Sequence, residues 1–500
     1  MPISGGLLYI PRVARGGVYL LVLTDLPTCP GLFSGSRARD GILSRMRIPG
    51  GILNTQQCGA IANLVDRYSI GCLQITNRAN LQIRELRSEI PPEVWHDLQE
   101  LGLASRRVEV DPIRNMMASP TAGIDRQQLL DTRPLVKAWD DYLHTHPELS
   151  ELSAKFSIGF DGGELVSIRD RLNDILLVAQ RRSANSEIVF RLYFNSDTGI
   201  IIEQSQCISV LAALAGAYLE YTKNRHRVDR KKPRLRHLLA DWGTESYLEK
   251  VEKNLPFALR RSASKFSDKS IPNHQHLGIH PQQQPGFSYI GITLPLGKLK
   301  SKQLRDLAKL AQNFGRGTLR LTPWQNLLIS DIPNSQLFEV KQQLTDRGFH
   351  WSTTNLDSCL VACAGSTGCA SAMTDTQSHA IEMVQDLAQQ LQIDRPINIH
   401  FSGCEKSCAQ HHPIDITLVG IQIKHGNEII PGYDIYAGKT DSPFGRQIFK
   451  GLSVDQISSA IAQMLRIYQR CRSPDESLGE FCDRSAIGKL QKLLSPENQN

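Results

Sequence analysis

The feature that most restricts the fold of this chain is an internal repeat. Residues 48–83 align with residues 294–329 at a constant offset of 246 residues, without a gap. The matching segments are Ile48–Leu53 with Leu294–Leu299, Gly71–Thr76 with Gly317–Thr322, and Asn80–Ile83 with Asn326–Ile329. Three matches in one register are not expected by chance, so the sequence predicts two copies of one folding unit.

Each copy has the same local pattern. An alternating strand leads into a tight turn, and a helix follows with its predicted N-cap at Thr55 in the first copy and at Ser301 in the second. Two short strands then stand on either side of a corner, which is Asn77-Arg78 in the first copy and Pro323-Trp324 in the second. Arg107–Val110 is predicted as a further strand of the first copy. This order is typical of a split β-α-β unit, ferredoxin-like in outline.

The whole chain is predicted to be an α+β protein with pseudo-twofold symmetry. Its 500 residues exceed what one hydrophobic core normally serves. Two ferredoxin-like half-domains would each be followed by a mixed α/β domain. The predicted divisions are an N-terminal extension (1–28), half-domain 1 (29–104), mixed domain 1 (105–255), a linker (256–285), half-domain 2 (286–347), a cysteine-bearing domain (348–472) and a polar tail (473–500).

Composition excludes several classes of protein. An apolar share of 41% with 21% charged residues is not that of a disordered chain. No window approaches the ~20 apolar residues of a membrane span, and the apolar run Val18–Leu23 is too short for a signal peptide. The basic run Lys223–Arg236 lacks interleaved aromatic residues, so it favours a solvated helix end or a pocket wall over nucleic-acid binding.

Five of the eleven cysteines fall within fifty residues, which favours metal ligation in a reducing cytoplasm over a disulfide framework. Cys404 and Cys408 are four positions apart and would share one face of a helix that begins after Ser402-Gly403. Cys363 and Cys369 enclose a loop of small residues. Four such thiolates suit a 4Fe-4S cluster or, less well, zinc. Cys359 is interpreted as a buried small side chain that does not ligate iron.

These motifs resemble the nitrite and sulfite reductase family. The similar segments are Arg45–Gly51, Thr76-Asn77-Arg78, Arg114-Asn115, Arg230-Lys231-Lys232, the two cysteine pairs and Leu418-Val419-Gly420. In that family the duplicated units frame a tetrapyrrole. The resemblance implies that Cys408, the last cysteine of the signature, links the cluster to a sirohaem iron.

A closer resemblance, to the precorrin-3B synthases of that family, is carried by Cys29–Phe33, Thr76–Arg84 and Ala118–Gly123. It implies an iron-sulfur monooxygenase of aerobic cobalamin biosynthesis, which hydroxylates precorrin-3A with dioxygen and forms a lactone to give precorrin-3B. A mononuclear non-haem iron would then accompany the cluster. No G-x-G-x-x-G follows a predicted strand, so the reductant would be external, either NADH through a reductase or a ferredoxin.

Basic residues of the first copy are the expected contacts to a polycarboxylate tetrapyrrole, because guanidinium groups pair bidentately with carboxylates. Arg45 and Arg47 are two residues apart on a predicted strand, so their side chains would point to one face of it. In the second copy the equivalents of Arg47 and Arg78 are Thr293 and Trp324, which would pack instead. The predicted ligand contacts are Arg45, Arg47, Arg78 and Arg114.

One residue is predicted to act on the substrate itself. Where the reductases carry two lysines one residue apart, this chain has Lys155 and Ser157. A pocket with one cation fewer would suit sulfite or nitrite poorly and would still accept neutral dioxygen. The alternatives left open are a sirohaem-dependent nitrite or sulfite reductase and a non-catalytic iron-sulfur protein that binds a tetrapyrrole.

Overall fold

The computed structural model describes residues 30–70, 72–87, 90–182, 187–226, 232–262, 275–411, 414–438 and 444–485. The predicted N-terminal extension, Cys29, the Arg230-Lys231 pair and the end of the predicted tail lie outside these ranges. Among the described helices, none combines the length and the apolar character that a membrane crossing requires.

The first repeat forms the predicted β-α-β unit, with two local differences. Its elements are β1 (Ser36–Ala38), β2 (Gly41–Met46), β3 (Ile52–Asn54), α1 (Thr55–Tyr68), β4 (Leu73–Ile75), β5 (Leu81–Leu86) and α2 (Pro92–Glu100). The N-cap of α1 is Asn54 rather than Thr55, since the Asn54 side chain accepts from the backbone N–H of Gln57. The strand predicted at Arg107–Val110 is wrong. Those residues form turns, because the buried carboxylate of Asp111 binds two backbone N–H groups and folds the chain back.

The first mixed domain is one sheet covered by helices. Its elements are β6 (Met116–Ala118), α3 (Arg133–Thr145), β7 (Ile158–Asp161), β8 (Ile175–Arg181), β9 (Ile188–Tyr193), β10 (Asp197–Glu203), α4 (Cys207–His226), α5 (Leu235–Trp242), α6 (Thr244–Glu252) and β11 (Arg260–Arg261). The strand order is β11-β10-β9-β8-β7-β6, and β6, β7 and β8 run parallel. The chain segments that precede these three parallel strands therefore meet at one edge of the sheet.

The second repeat begins within the stretch predicted as a linker. Its elements are β12 (Gly278–Pro281), β13 (Phe287–Ile292), β14 (Lys298–Leu299), α7 (Ser301–Phe314), β15 (Thr318–Leu321), β16 (Leu327–Pro333) and α8 (Leu337–Asp346). The predicted N-cap at Ser301 is displaced by one residue, to Lys300, as in the first repeat.

The two repeats exchange a strand. The first sheet has the order β1-β2-β5-β4-β14 and the second β12-β13-β16-β15-β3, so each repeat completes the sheet of the other. Leu299 pairs with Leu73, and Leu53 pairs with Leu319. Both members of the second pair are related to the first by the 246-residue offset, so the structure reproduces the repeat in its register. Side chains of both repeats fill one continuous hydrophobic core.

The cysteine-bearing domain follows. Its elements are β17 (Leu360–Ala362), α9 (Gly365–Gly368), α10 (Thr376–Gln390), β18 (Ile399–Ser402), β19 (Ile416–His425), β20 (Glu428–Ala437), β21 (Arg446–Ser453), α11 (Val454–Cys471) and α12 (Leu478–Arg484). Its first three strands run parallel, in the order β17-β18-β19. The turns that leave β17 and β18 therefore lie side by side at one sheet edge, and these turns carry the clustered cysteines.

Candidate functional site

Four thiols converge at this sheet edge. Cys363 follows β17, Cys369 follows α9, and Cys404 and Cys408 follow β18. Burial raises the pKa of the Cys408 thiol, and the nearby thiols of Cys404, Cys363 and Cys369 raise it further. The quartet that the spacing predicted is thus within mutual electrostatic range. The helix predicted for Cys404–Cys408 is wrong, since these residues form turns in which Ser407 has a positive φ of 49°.

Small residues let the thiols approach the backbone. The Gly403 N–H donates to Cys363 Sγ at 3.2 Å, an interaction that stabilises a thiolate. A Cβ at Gly403 would stand 2.6 Å from Ala372 Cβ and 3.4 Å from Cys363 Sγ. The first half-domain closes the other side, because Arg84 Nη2 donates to the carbonyl of Gly368 at 3.4 Å.

A second metal centre finds no support here. Among the residues that the structure describes, no group of three or more His, Cys, Asp or Glu side chains is arranged to hold a metal ion. The predicted mononuclear iron therefore has no such ligand set in the described ranges. Four cysteine thiolates are the usual ligand set of a 4Fe-4S cluster, and the four thiols lie near one another at one sheet edge.

Three cationic side chains lie near the chain segment that follows the last cysteine. Asn77 Nδ2 donates to the carbonyl of Ala409 at 3.2 Å, which ties the corner of the first repeat to this segment. Burial lowers the pKa of His411, and the positive charges of Arg78, Arg234 and Lys155 lower it further. The charges of these three cations therefore act on His411, which lies three positions after Cys408. We call Arg78, Lys155 and Arg234 the cation pocket.

In two members of the cation pocket, the side chain lacks an ion pair or has a donor without a partner among the described residues. Lys155 is exposed and forms no ion pair within the described ranges. Arg234 Nε is buried and has no hydrogen-bond partner among the described residues. Arg78 Nη1 donates to Asn173 Oδ1 at 3.2 Å, which fixes its guanidinium at the strand corner. A cluster of positive charge of this kind attracts anions.

The other predicted arginines lie elsewhere. Arg47 and Arg114 are buried beside a cavity of about 240 Å³ between the first half-domain and α3. Arg114 forms a bidentate pair with Asp140 at 2.8 and 2.9 Å. Arg45 Nη2 donates instead to Gln82 Oε1 at 3.4 Å. Of the four predicted ligand contacts, the structure thus brings only Arg78 together with Lys155.

The equivalent corner of the second repeat is packed, as its sequence predicted. The Trp324 ring stacks on His276 with centroids 4.5 Å apart, and the Arg171 guanidinium lies 5.1 Å from the centre of the Trp324 ring. His276 lies within the stretch predicted as a linker, and its ring is buried against Trp324.

Sequence reasoning missed two residues of the site. Arg234 belongs to the basic run for which a pocket wall was one interpretation, and it does line the pocket. Asp174 gave no signal, although it is half-buried directly before β8 and binds Ser157. Asp174 meets Ser157 because β7 and β8 run parallel, whereas Arg234 comes from the segment before α5.

Family models match nearly all of the described fold. A model described as the nitrite/sulfite reductase ferredoxin-like half domain matches residues 35–101 and 280–347. A model described as the nitrite and sulphite reductase 4Fe-4S domain matches residues 109–259 and 358–499. The chain belongs to the nitrite and sulfite reductase family.

Individual relatives show which members of the family the chain is similar to. The chain is 32% identical over 460 residues to the ferredoxin–nitrite reductase of Synechococcus elongatus, covering 88% of this chain and 86% of the relative. It is 28% identical to the chloroplastic ferredoxin–nitrite reductase of Arabidopsis thaliana, covering 87% and 78%. The Mycobacterium tuberculosis NirA structure has the same fold, with a TM-score of 0.76 at 22% identity over 90% of this chain and 84% of that one.

These relatives overturn the expected function. The motifs taken as typical of the precorrin-3B synthases belong to a chain whose curated relatives are named ferredoxin–nitrite reductase. The prediction of an oxygen-dependent monooxygenase of cobalamin biosynthesis, acting on precorrin-3A, is therefore wrong. Its main discriminator was Ser157 in place of a lysine. Arg234 contributes a further positive charge from another segment, so the residues of one strand do not set the charge of the pocket.

Proposed function

We propose that the protein is a sirohaem-containing, ferredoxin-dependent nitrite reductase. The observation that carries the proposal is the short path between the two parts of the site. Four thiols suited to a 4Fe-4S cluster end at Cys408, and the charges of the cation pocket act on His411, three residues later. An electron centre beside an anion pocket is what the reduction of a small oxyanion requires.

The residues present fit both cofactors. Cys363, Cys369, Cys404 and Cys408 would hold the cluster, with the Gly403 N–H supporting one thiolate. Sirohaem carries many carboxylates, and the unpaired Arg234 Nε is suited to them. When bound, these groups would relay to nitrite the electrons that an external donor supplies.

The chain's own residues would bind and orient the substrate. The Lys155 ammonium is a compact charge on an exposed, flexible side chain. It is therefore suited to a small anion whose shape changes during reduction. Arg78 is fixed by Asn173 and would hold its guanidinium in one orientation.

Ferredoxin is the proposed electron donor. Two relatives from different kingdoms carry its name together with nitrite reductase.

A comparison of substrates tests the proposal. Holoenzyme supplied anaerobically with reduced ferredoxin should consume nitrite with a kcat/KM at least about a hundredfold above that for sulfite. Reduced methyl viologen should replace ferredoxin for both substrates, which separates donor recognition from chemistry. Equal or higher activity with sulfite would contradict the substrate assignment. Activity that methyl viologen supports and reduced ferredoxin does not would contradict the assignment of the donor.

A further inference from the structure

Asn173 is a buried amide that binds the guanidinium of Arg78. It lies two residues before β8, and its side chain is 7% exposed. Asn173 Oδ1 accepts from Arg78 Nη1 at 3.2 Å. Asn173 Nδ2 donates to the Arg171 carbonyl at 3.2 Å and contacts Met117 Sδ at 3.9 Å. Because both of these neighbours are acceptors, the amide must turn its oxygen toward the guanidinium.

The first mixed-domain sheet leaves a space for this side chain. Met117 of β6 pairs with Gly159 of β7, and Gly159 pairs with Leu176 of β8, so the three residues lie in one row across the parallel strands. A Cβ at Gly159 would stand 2.8 Å from Asn173 Nδ2 and 2.7 Å from Leu176 Cδ1. The glycine in this row therefore lets the Asn173 amide lie against the sheet and reach Arg78.

Arg78 stands beside the segment that follows the cysteine quartet. The preceding residue, Asn77, donates from Nδ2 to the carbonyl of Ala409 at 3.2 Å, and Ala409 directly follows Cys408. A hydrogen bond thus ties the strand corner to the chain just beyond the last thiol. The Arg78 guanidinium extends from this corner to Asn173, so the amide determines where the guanidinium is held.

The acceptor at Arg78 Nη1 is electrically neutral. Arg114, by contrast, is held bidentately by the carboxylate of Asp140. A carboxylate fixes a guanidinium but cancels much of its electric field, whereas an amide oxygen fixes it without adding a negative charge. A neutral acceptor is therefore the better support for a cation that has to bind an anion.

We propose that Asn173 is a positioning residue for oxyanion binding. It holds Arg78 in the orientation that binds the anion, and its amide leaves the positive charge of Arg78 uncancelled. Asn173 acts through Arg78 and makes no contact of its own with the substrate. The inference rests on the proposed function, since it takes nitrite as the anion.

A double-mutant cycle on the holoenzyme tests this inference. Nitrite reduction is measured anaerobically with reduced methyl viologen, so that recognition of a protein donor does not enter. Asn173→Ala should raise the nitrite KM about fivefold, because Arg78 loses the acceptor that orients it. The kcat should stay within about threefold of the wild type. In an Arg78→Gln background, Asn173→Ala should change KM less than about twofold, whereas a merely structural defect would persist there.

Asn173→Asp tests the neutrality of the acceptor. It should raise KM about tenfold or more, and so more than Asn173→Ala does, because a carboxylate adds a negative charge next to Arg78. Asn63→Asp is the matched control. Asn63 Oδ1 accepts from Arg305 Nη2 at 2.7 Å, which is the same type of contact on an exposed surface. This variant should keep the wild-type KM and kcat.

The outcomes separate the inference from the proposed function. The inference is overturned if Asn173→Ala has the wild-type KM, if it raises KM equally in both backgrounds, or if Asn173→Asp has a KM no higher than that of Asn173→Ala. A wild type that reduces sulfite and not nitrite would overturn the proposed function alone, and the same cycle with sulfite would then decide the inference. A wild type that reduces neither anion would overturn both.

Gly159→Ala covers the case in which the Asn173 variants do not fold. It keeps the amide but displaces it, because the new Cβ would stand 2.8 Å from Asn173 Nδ2. The nitrite KM should rise about fivefold in Gly159→Ala, and less than about twofold when Arg78→Gln is already present. An unchanged KM in Gly159→Ala would overturn the inference.

Discussion

Substitution of Gly403 by alanine should weaken the cluster site through one identifiable clash. The new Cβ would stand 2.6 Å from Ala372 Cβ and 3.3 Å from Ala372 Cα, whereas ordinary contacts begin near 3.4 Å. The backbone carrying the N–H donor to Cys363 must therefore move by several tenths of an ångström. Overpacking of this kind costs about 2 kcal/mol, which corresponds to about a thirtyfold change in an equilibrium.

The assay is the release of iron from anaerobic holoenzyme into a chelator. Gly403→Ala should lose its iron about thirtyfold faster than the wild type, because strain in the site favours the open form. The double variant Gly403→Ala/Ala372→Gly removes the opposing methyl group and should return to within about threefold of the wild type. Gly59→Ala is the control, since no heavy atom lies within 4 Å of its added Cβ.

Two results would refute this reasoning. The first is unchanged iron release in Gly403→Ala, which would mean that the small residue does not support the thiol. The second is a double variant as labile as the single one, which would show that the clash with Ala372 is not the cause.

Three further predictions concern other residues. Cys408→Ser should leave the purified protein with less than about a tenth of the wild-type iron and sulfide, whereas Cys359→Ser should leave both unchanged; a loss in the second variant would overturn the ligand assignment. Lys155→Gln should raise the nitrite KM about tenfold and weaken its salt dependence, and an unchanged KM would remove Lys155 from the pocket. Burial and the charge of Asp161 raise the pKa of Glu164 well above its usual value. The resulting stabilisation is present below the unfolded pKa and is lost as pH rises through the folded one. Thermal unfolding should therefore show Glu164→Gln gaining on the wild type as pH rises, and parallel curves would contradict this.

The fold was predictable to the level of the repeat. Apolar spacing placed α1 and α7 correctly because helix periodicity is a local property. The exchange of β3 and β14 was not predictable, because each strand is two or three residues long and pairs with a segment more than 200 residues away. Such short strands carry no periodic signal of their own. Their pairing depends on how two whole repeats pack.

The site was predictable only where the spacing of residues along the chain indicates their chemistry. The four cysteines were found because their pairs accompany glycine turns, although the spacing of Cys404 and Cys408 suits a turn as well as a helix. The cation pocket was only partly found. Lys155 and Arg78 were singled out, but Arg234 and Asp174 reach the site from separate segments, and side-chain charge alone does not distinguish them from solvated residues.

The most direct test of the central claim is an anaerobic electron paramagnetic resonance spectrum of the isolated protein before and after nitrite addition. The proposed function predicts a sirohaem iron signal that changes on addition of nitrite, together with a 4Fe-4S signal on reduction. A reduced cluster signal with no sirohaem signal, or a sirohaem signal that nitrite leaves unchanged, would contradict it.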